Sequence, residues 1–237
     1  MAQTVTVATA DGDMGLYDVE PDGEARGAVV VIQEAFGVNS HIEDVTRRAA
    51  AAGYRSVAPH LFHRTGDPVV GYGEYDTIMT HLQALSEPGL LADLDAALAY
   101  LAQVGFAPSR VGVVGFCMGG TVAFLAAVRR PIGAAVTFYG GGIAEGRFGL
   151  PSQLDLAGGI QAPWLGLYGD EDKGIPAPDV EALREAASAA PVDTEVVRYA
   201  AAGHGFHCDA RPDYAPEAAA DAWRRALAWF AAHLGAA

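Results

Sequence analysis

The chain has 237 residues, of which 51% are hydrophobic and 19% are charged, and its formal net charge is −14. This composition is typical of a globular chain with a sizeable core and excludes an intrinsically disordered protein. The acidic balance argues against nucleic acid and anionic membranes as partners, because both attract clustered Lys and Arg.

The sequence predicts one domain over residues 1–237, since it shows no internal repeat and no low-complexity linker. No stretch approaches the roughly 18 consecutive apolar residues of a membrane helix. Residues 1–10 lack the basic start and apolar core of a signal peptide. We therefore expect a cytoplasmic protein whose two cysteines, Cys117 and Cys208, are reduced thiols.

Short β-branched runs alternate with longer helical patterns along the chain. In chain order the predicted elements are strands at 4–7 and 28–32, a helix at 42–52, a strand at 54–58, a helix opened by Pro88 with leucines to 101, a strand at 110–114, a helix at 121–129, strands at 134–138 and 164–168, a helix at 180–189, a strand at 194–198 and a helix at 215–234. This alternation predicts an α/β fold with a doubly wound, mostly parallel sheet and helices on both faces. Two long loop-like stretches, 61–73 and 140–159, suit either a lid over a substrate pocket or a plain surface excursion.

The strongest chemical signal lies at 111–120, where a predicted strand ends in Gly-x-Cys-x-Gly and a helix follows. This is the pattern of a nucleophile elbow with sulfur in place of the serine oxygen. We predict that side chains at Gly115 and Gly119 would collide with the neighbouring strand and helix. The elbow would present Cys117 at the carboxyl edge of the sheet. There the helix N-terminus favours the thiolate form, and the Met118 N–H faces a developing oxyanion.

A thiol nucleophile needs a base, and the base needs an orienting carboxylate. His204 lies between two glycines after the last predicted strand, and Asp170 and Asp172 follow the strand before it. The order Cys, Asp, His is that of α/β-hydrolases, but the pattern leaves both aspartates open as the acid. After the strand at 28–32, the N–H of Ala35 is a candidate second oxyanion donor, and Glu34 reads as an ordinary carboxylate at a strand end.

Together these segments resemble the dienelactone hydrolase (carboxymethylenebutenolidase) family of the α/β-hydrolase superfamily. The resemblance runs from Glu34 to Trp229 and rests on Gln33-Glu34-x-Phe36-Gly37, Gly115-Phe116-Cys117-x-Gly119-Gly120, Gly169-x-x-Asp172 with Pro176, and Gly203-His204-x-Phe206. It implies a lactone or ester hydrolase in which Cys117 forms an acyl-enzyme and His204 activates the water that releases the acid. It also implies that Asp172 orients His204 and that Glu34 holds the resting thiol until substrate binds. No cofactor is implied.

The substrate is less well specified by the sequence. Candidate contacts are Phe36, Arg64, Tyr139, Phe206 and Arg211. Well-known family members bind a substrate carboxylate with two arginines, one near the middle of the chain and one just after the catalytic histidine. Here no Lys or Arg occurs between Arg64 and Arg110, and Cys208 stands four residues after His204. We therefore expect neutral lactones or esters to be turned over better than a carboxylate-bearing dienelactone.

Two other functions stay open at this point. Glutamine amidotransferases also place a cysteine on a strand-to-helix elbow, but their base and acid form His-x-Glu, whereas Gly205 and Phe206 follow His204. A hydrolase-like fold kept only for binding is the second alternative. The expected partner is a small-molecule lactone or ester, with no nucleic acid and no membrane, and the expected state is a monomer or small homo-oligomer.

One local cluster contains residue types that could bind a metal. His204, His207, Cys208 and Asp209 are all ligand types, yet their spacing matches no closed zinc pattern such as paired Cys-x-x-Cys. On the sequence alone we expect no metal.

Overall fold

The computed structural model describes residues 1–235 and contains one eight-stranded sheet with helices packed against it. The strands are β1 (Ala2–Thr9), β2 (Gly12–Val19), β3 (Ala28–Ile32), β4 (Arg55–Pro59), β5 (Val111–Phe116), β6 (Ala134–Phe138), β7 (Trp164–Gly169) and β8 (Thr194–Tyr199). The helices are α1 (Ser40–Ala51), α2 (Tyr75–Gln83), α3 (Glu87–Gln103), α4 (Met118–Arg129), α5 (Gln153–Leu156), α6 (Ala177–Ala187) and α7 (Pro216–His233). Short 3-10 turns occupy His63–Thr65, Pro108–Arg110 and Ala157–Gly159.

The strand order is β1-β2-β4-β3-β5-β6-β7-β8. Strand β2 pairs antiparallel with both β1 and β4, and every later pairing is parallel. The predicted mostly parallel, doubly wound sheet is therefore confirmed. Parallel strands end at the same edge of a sheet, so the loops after β3, β5, β7 and β8 converge there.

The central strands are buried along their whole length, which explains their continuous apolar runs. All residues of β3, β5 and β6 are buried, as expected of strands covered on both faces. Helix α4 packs on β5 and β6, while α1 packs on β3 and β4. The Asn39 side chain caps α1 by accepting a hydrogen bond from the Ile42 N–H. Over residues 1–235, no helix combines the length and apolar character needed to cross a bilayer.

Three elements are absent from the sequence prediction, namely β2, α2 and the single turn of α5. Strand β2 has the sequence GDMGLYDV, and its glycines and aspartates disfavour a strand on intrinsic propensity. Its pairing with β1 and β4 and the burial of residues such as Leu16 stabilise it instead. Helix α2 follows a loop containing Gly71 and Gly73, and the sequence around it shows too short a repeat to mark a helix.

Candidate active site

Cys117 lies at the turn between β5 and α4 in a backbone conformation that non-glycine residues rarely adopt. Its φ and ψ are 55° and −118°, so the residue is strained and the surrounding structure must hold it in place. A Cβ on Gly115 would lie 1.8 Å from the Gly119 carbonyl oxygen, and one on Gly119 would lie 2.4 Å from the Gln33 carbonyl oxygen. Both glycines are therefore required by close backbone approach, as the sequence predicts.

This crowding gives a stability prediction. We expect Gly119→Ala to lower the free energy of unfolding by about 3 kcal/mol, because the backbone at the start of α4 must move away from the end of β3. Gly158→Ala is the matched control, since no atom lies within 4 Å of the position of its added Cβ, and it should change stability by less than about 0.5 kcal/mol. Urea unfolding followed by circular dichroism measures both; equal stabilities would contradict the packing described here.

The structure brings Cys117, His204 and Asp172 into one hydrogen-bonded chain. The His204 Nε2 atom lies 3.1 Å from the Cys117 sulfur, and His204 Nδ1 lies 2.6 Å from Asp172 Oδ2. Asp172 is buried and its other oxygen accepts a hydrogen bond from the Gly174 N–H at 2.8 Å. The carboxylate therefore holds the imidazole so that Nε2 faces the sulfur.

The surroundings of His204 favour its protonated form. Burial opposes protonation, but the neighbouring Cys117 and Asp172 outweigh it and raise the pKa of His204 to about 10. The ring of Tyr139 lies edge-on at 5.2 Å between centroids and limits movement of the imidazole. A positively charged imidazole beside a sulfur is the arrangement that stabilises a thiolate.

The two candidate aspartates occupy different environments. Asp170 receives a hydrogen bond from Arg198 Nε at 2.6 Å, and both side chains are partly exposed. Asp172 instead faces His204 from a buried position. The geometry thus singles out Asp172 as the partner of His204, in agreement with the assignment from the family motif.

Ala35 and Met118 lie beside Cys117 in the wall of one cavity. Met118 is the first residue of α4, so its N–H has no acceptor in the helix. The buried Gln33 side chain accepts from the Leu61 N–H at 3.1 Å and thereby fixes the loop before Ala35. Both N–H groups are therefore placed on segments next to the sulfur.

Glu34 has a different partner from the one expected. Its carboxylate is fully buried, and Oε1 lies 3.3 Å from Arg211 Nη1. No hydrogen bond joins Glu34 to Cys117 within residues 1–235, and Oε2 has no partner there. In this structure the sulfur faces His204 while Arg211 compensates the charge of Glu34.

The cavity in front of Cys117 has a volume of about 470 Å³. Phe36 and Arg211, two of the predicted substrate contacts, line it. Tyr139 and Phe206 are also predicted substrate contacts, but both are buried and neither belongs to the cavity wall described for residues 1–235.

Arg64 departs from its expected role. It pairs with the buried Asp93 at 2.7 Å and with Asp11 at 2.8 Å, and it lies outside the cavity wall described for residues 1–235. Burial of the Asp93 carboxylate requires such a partner, so Arg64 serves the packing of α3.

Several residues of the cavity wall are not predicted from the sequence. Arg147 and Phe148 come from the 140–159 segment, and Ile78 and Leu82 come from α2. The 140–159 segment is thus a wall of the pocket. The 61–73 segment supports the pocket from outside, because the Val70 N–H donates to the Phe36 carbonyl at 3.1 Å. The Arg147 side chain lies over the Phe148 ring at 4.7 Å.

Comparison with known proteins decides the family. The model of the dienelactone hydrolase family matches residues 14–234. This chain belongs to the dienelactone hydrolase family. An Escherichia coli (strain K12) relative named as a carboxymethylenebutenolidase is 40% identical over 236 residues, covering 97% of this chain and 86% of the relative.

Two further relatives of this dienelactone hydrolase family member support the same family. A crystal structure from Klebsiella pneumoniae described as a dienelactone hydrolase has a TM-score of 0.90 and 37% identity and covers 98% of both chains. A Bradyrhizobium protein named as a 2-oxo-3-(5-oxofuran-2-ylidene)propanoate lactonase is 31% identical over 244 residues, covering 96% of this chain and 98% of the relative. The α/β-hydrolase fold and the class of carboxylic ester or lactone hydrolase are confirmed, and the amidotransferase and binding-protein alternatives are set aside.

Proposed function

We propose that this enzyme opens a lactone or ester by attack of the Cys117 thiolate, with His204 and Asp172 completing a catalytic triad. The observation that carries the proposal is the chain of contacts from Cys117 Sγ through His204 to Asp172 at the wall of the substrate-sized cavity. The class of reaction follows from the family, and this geometry supports the roles proposed for the residues.

In the first half-reaction, the sulfur attacks the carbonyl carbon and the carbonyl oxygen becomes an oxyanion. The N–H groups of Met118 and Ala35 are the proposed donors to that oxyanion. Collapse of the tetrahedral adduct breaks the bond between the acyl carbon and the ring or ester oxygen. The protonated His204 gives its Nε2 proton to that leaving oxygen, so a thioester and a neutral hydroxyl result.

In the second half-reaction, the now neutral His204 takes a proton from water, and the resulting hydroxide attacks the thioester. The same two N–H groups stabilise the second oxyanion. Cys117 leaves as a thiolate beside the protonated His204, and the carboxylic acid product is released. Asp172 remains ionised throughout and stabilises the charged imidazole.

Glu34 is proposed to hold the Cys117 thiol in a resting state, as the family resemblance implies. The unpartnered Oε2 atom supports this role, because a buried carboxylate oxygen without a donor is costly. The structure has the sulfur on His204 instead, which is the arrangement that the attack on substrate requires. Arg211 stays within reach of both Glu34 and the cavity.

A panel of lactones, activated esters and carboxamides tests the proposed reaction. We expect turnover of lactones or esters, release of one acid per molecule consumed, and no ammonia from glutamine. Activity confined to carboxamides would contradict the proposal, and so would a lack of turnover across the whole panel by protein whose Cys117 still reacts with iodoacetamide.

The structure also changes the expectation about substrate charge. Neutral substrates are expected from the sequence because no cation lies between residues 65 and 109 and because Cys208 stands four residues after His204. In the structure, however, Arg147 and Arg211 reach the cavity from other segments. Arg211 is shared with Glu34, whereas Arg147 has no ion-pair partner among the described residues. The Bradyrhizobium relative is named for an anionic lactone. We therefore propose that a substrate carboxylate binds Arg147 and Arg211.

We predict that a lactone with a free carboxylate has a higher kcat/KM than its methyl ester. Arg147→Ala should lower kcat/KM for the free acid roughly tenfold and leave the ester nearly unchanged, since one charge-assisted contact is lost. The control is Arg184→Ala, which removes an exposed arginine of α6 away from the cavity. A wild-type preference for the methyl ester would contradict this substrate class and restore the expectation from the sequence.

A further inference from the structure

A second group of chemically reactive side chains lies behind the substrate cavity. Glu34, His41 and Cys208 are all buried, and each offers one possible ligand atom within 4.8 Å of the others. They come from the loop after β3, the first turn of α1 and the segment before α7. The proposed mechanism assigns a role to Glu34 but none to His41 or Cys208.

Two atoms of this group lack hydrogen-bond partners within residues 1–235. They are Glu34 Oε2 and His41 Nε2, and the side chains carrying them are at most 6% exposed. Leaving such polar atoms buried and unpaired costs about 1–3 kcal/mol each, and more when the group is charged. These atoms point to a ligand that binds a carboxylate and an imidazole at once.

The sulfur of Cys208 is placed to accept a hydrogen bond. Asn39 Nδ2 donates to the Tyr72 hydroxyl oxygen at 3.1 Å, and that hydroxyl lies 3.2 Å from Cys208 Sγ. Because the Tyr72 oxygen accepts from Asn39, its own hydrogen is free to donate to the sulfur. A donor directed at the sulfur is the kind of outer-shell contact that supports a metal-bound thiolate.

We propose that Glu34, His41 and Cys208 form a zinc site. A carboxylate oxygen, an imidazole nitrogen and a thiolate sulfur are the ligands that Zn²⁺ takes in proteins, at roughly 2.0–2.3 Å each. Ligand atoms around such an ion lie about 3.5 Å apart, so the present group closes on the metal by movements of about 1 Å. On binding, the Cys208 thiol releases its proton to solvent, and Arg211 stays on the other Glu34 oxygen.

A second cavity reaches this group at one of its three residues, His41. It has a volume of about 180 Å³ and is lined by His41, Asp44, Arg48, His207 and Asp209, among others. Both ring nitrogens of His207 lack partners among the described residues, so water in this cavity has polar groups to bind. A solvent molecule that enters on the His41 side would complete the four-coordinate shell of the ion.

This site differs from the local cluster of His204, His207, Cys208 and Asp209, which are ligand types whose spacing matches no closed zinc pattern. Here only Cys208 is retained, and its partners lie far away in the chain, where no local motif could indicate them.

Metal binding is measured directly, so the test does not depend on hydrolysis. Metal-stripped full-length protein is titrated with Zn²⁺ by calorimetry and with Co²⁺ by absorption spectroscopy. We expect one Zn²⁺ per chain and, with Co²⁺, the ultraviolet charge-transfer band of a cobalt–thiolate bond. Cys208→Ser should abolish the band, and His41→Gln should weaken zinc binding at least tenfold.

The matched controls are Cys117→Ser, which removes the other cysteine, and His81→Gln, which removes a part-buried histidine of α2. Both should keep the band and the stoichiometry. A band that is lost in Cys117→Ser and kept in Cys208→Ser would place the metal on the nucleophile and overturn the proposal. Absence of stoichiometric zinc binding by folded protein would overturn it as well. Neither result would affect the proposed attack of Cys117 on the carbonyl, which the panel of lactones and esters tests separately. The resting contact between Glu34 and the Cys117 thiol belongs to metal-free protein, because zinc and Arg211 would occupy both Glu34 oxygens.

Discussion

Cys117→Ala is expected to reduce ester and lactone hydrolysis to the uncatalysed background, while Cys208→Ala keeps most of the activity. Loss of the nucleophile costs on the order of 10⁶ in kcat in a serine protease, and the same dependence on a covalent intermediate applies to Cys117. Cys208 lies behind the cavity and contacts Tyr72 rather than His204. Initial rates with an activated ester at several enzyme concentrations measure both variants.

The comparison of Cys117→Ala with Cys208→Ala controls for folding as well as for chemistry. Both substitutions remove one sulfur, and alanine at 117 still has to adopt the strained backbone of the elbow. Thermal unfolding should therefore be recorded for each variant. Comparable hydrolysis by folded Cys117→Ala and wild-type protein would exclude the proposed nucleophile.

The second large effect is expected at the carboxylate. Asp172→Asn should lower kcat by on the order of 10⁴, as loss of the triad carboxylate does in a serine protease, because the amide favours the wrong imidazole tautomer. Asp170→Asn removes the same charge two residues away but leaves His204 untouched, and it should cost less than about threefold, since its partner is the partly exposed Arg198. Similar losses at the two positions would show that Asp172 has no special role.

The pH profile separates a positioning role from a merely structural one. Asp172 and Cys117 raise the pKa of His204 to about 10. The imidazolium that protonates the leaving oxygen therefore exists below that pH and is lost as pH rises through it. Removing the carboxylate lowers this pKa, so the alkaline limb of kcat/KM should move to lower pH in Asp172→Asn. An unchanged alkaline limb would mean that the group titrating in this limb is not His204.

Much of the site could be predicted because its constraints are local. The nucleophile elbow needs glycines within four residues of Cys117, and these appear in the sequence as a fixed pattern. The strand at 134–138 was predicted with the bounds that the structure shows, since a fully buried strand is marked by its own continuous apolar run. Helix α4 begins three residues earlier than predicted, because Gly119 and Gly120 resemble loop residues although close packing requires them there.

The other parts depend on contacts between distant segments. Arg147 reaches the cavity from a loop whose path no periodicity specifies, and Arg64 is drawn away from it by the buried Asp93. The pairing of Glu34 with Arg211 joins residues at opposite ends of the chain. Such ion pairs are set by tertiary packing, so the sequence could indicate charged candidates but not their partners.

Trapping of the acyl-enzyme tests the central claim most directly. An activated ester that acylates quickly and deacylates slowly is mixed with enzyme and quenched in acid, and the intact mass and proteolytic peptides are measured. We predict one acyl group per chain, bound to Cys117 as a thioester that hydroxylamine removes. An acyl group on any other residue, or fast turnover of the ester with no adduct at the shortest quench times, would contradict the account.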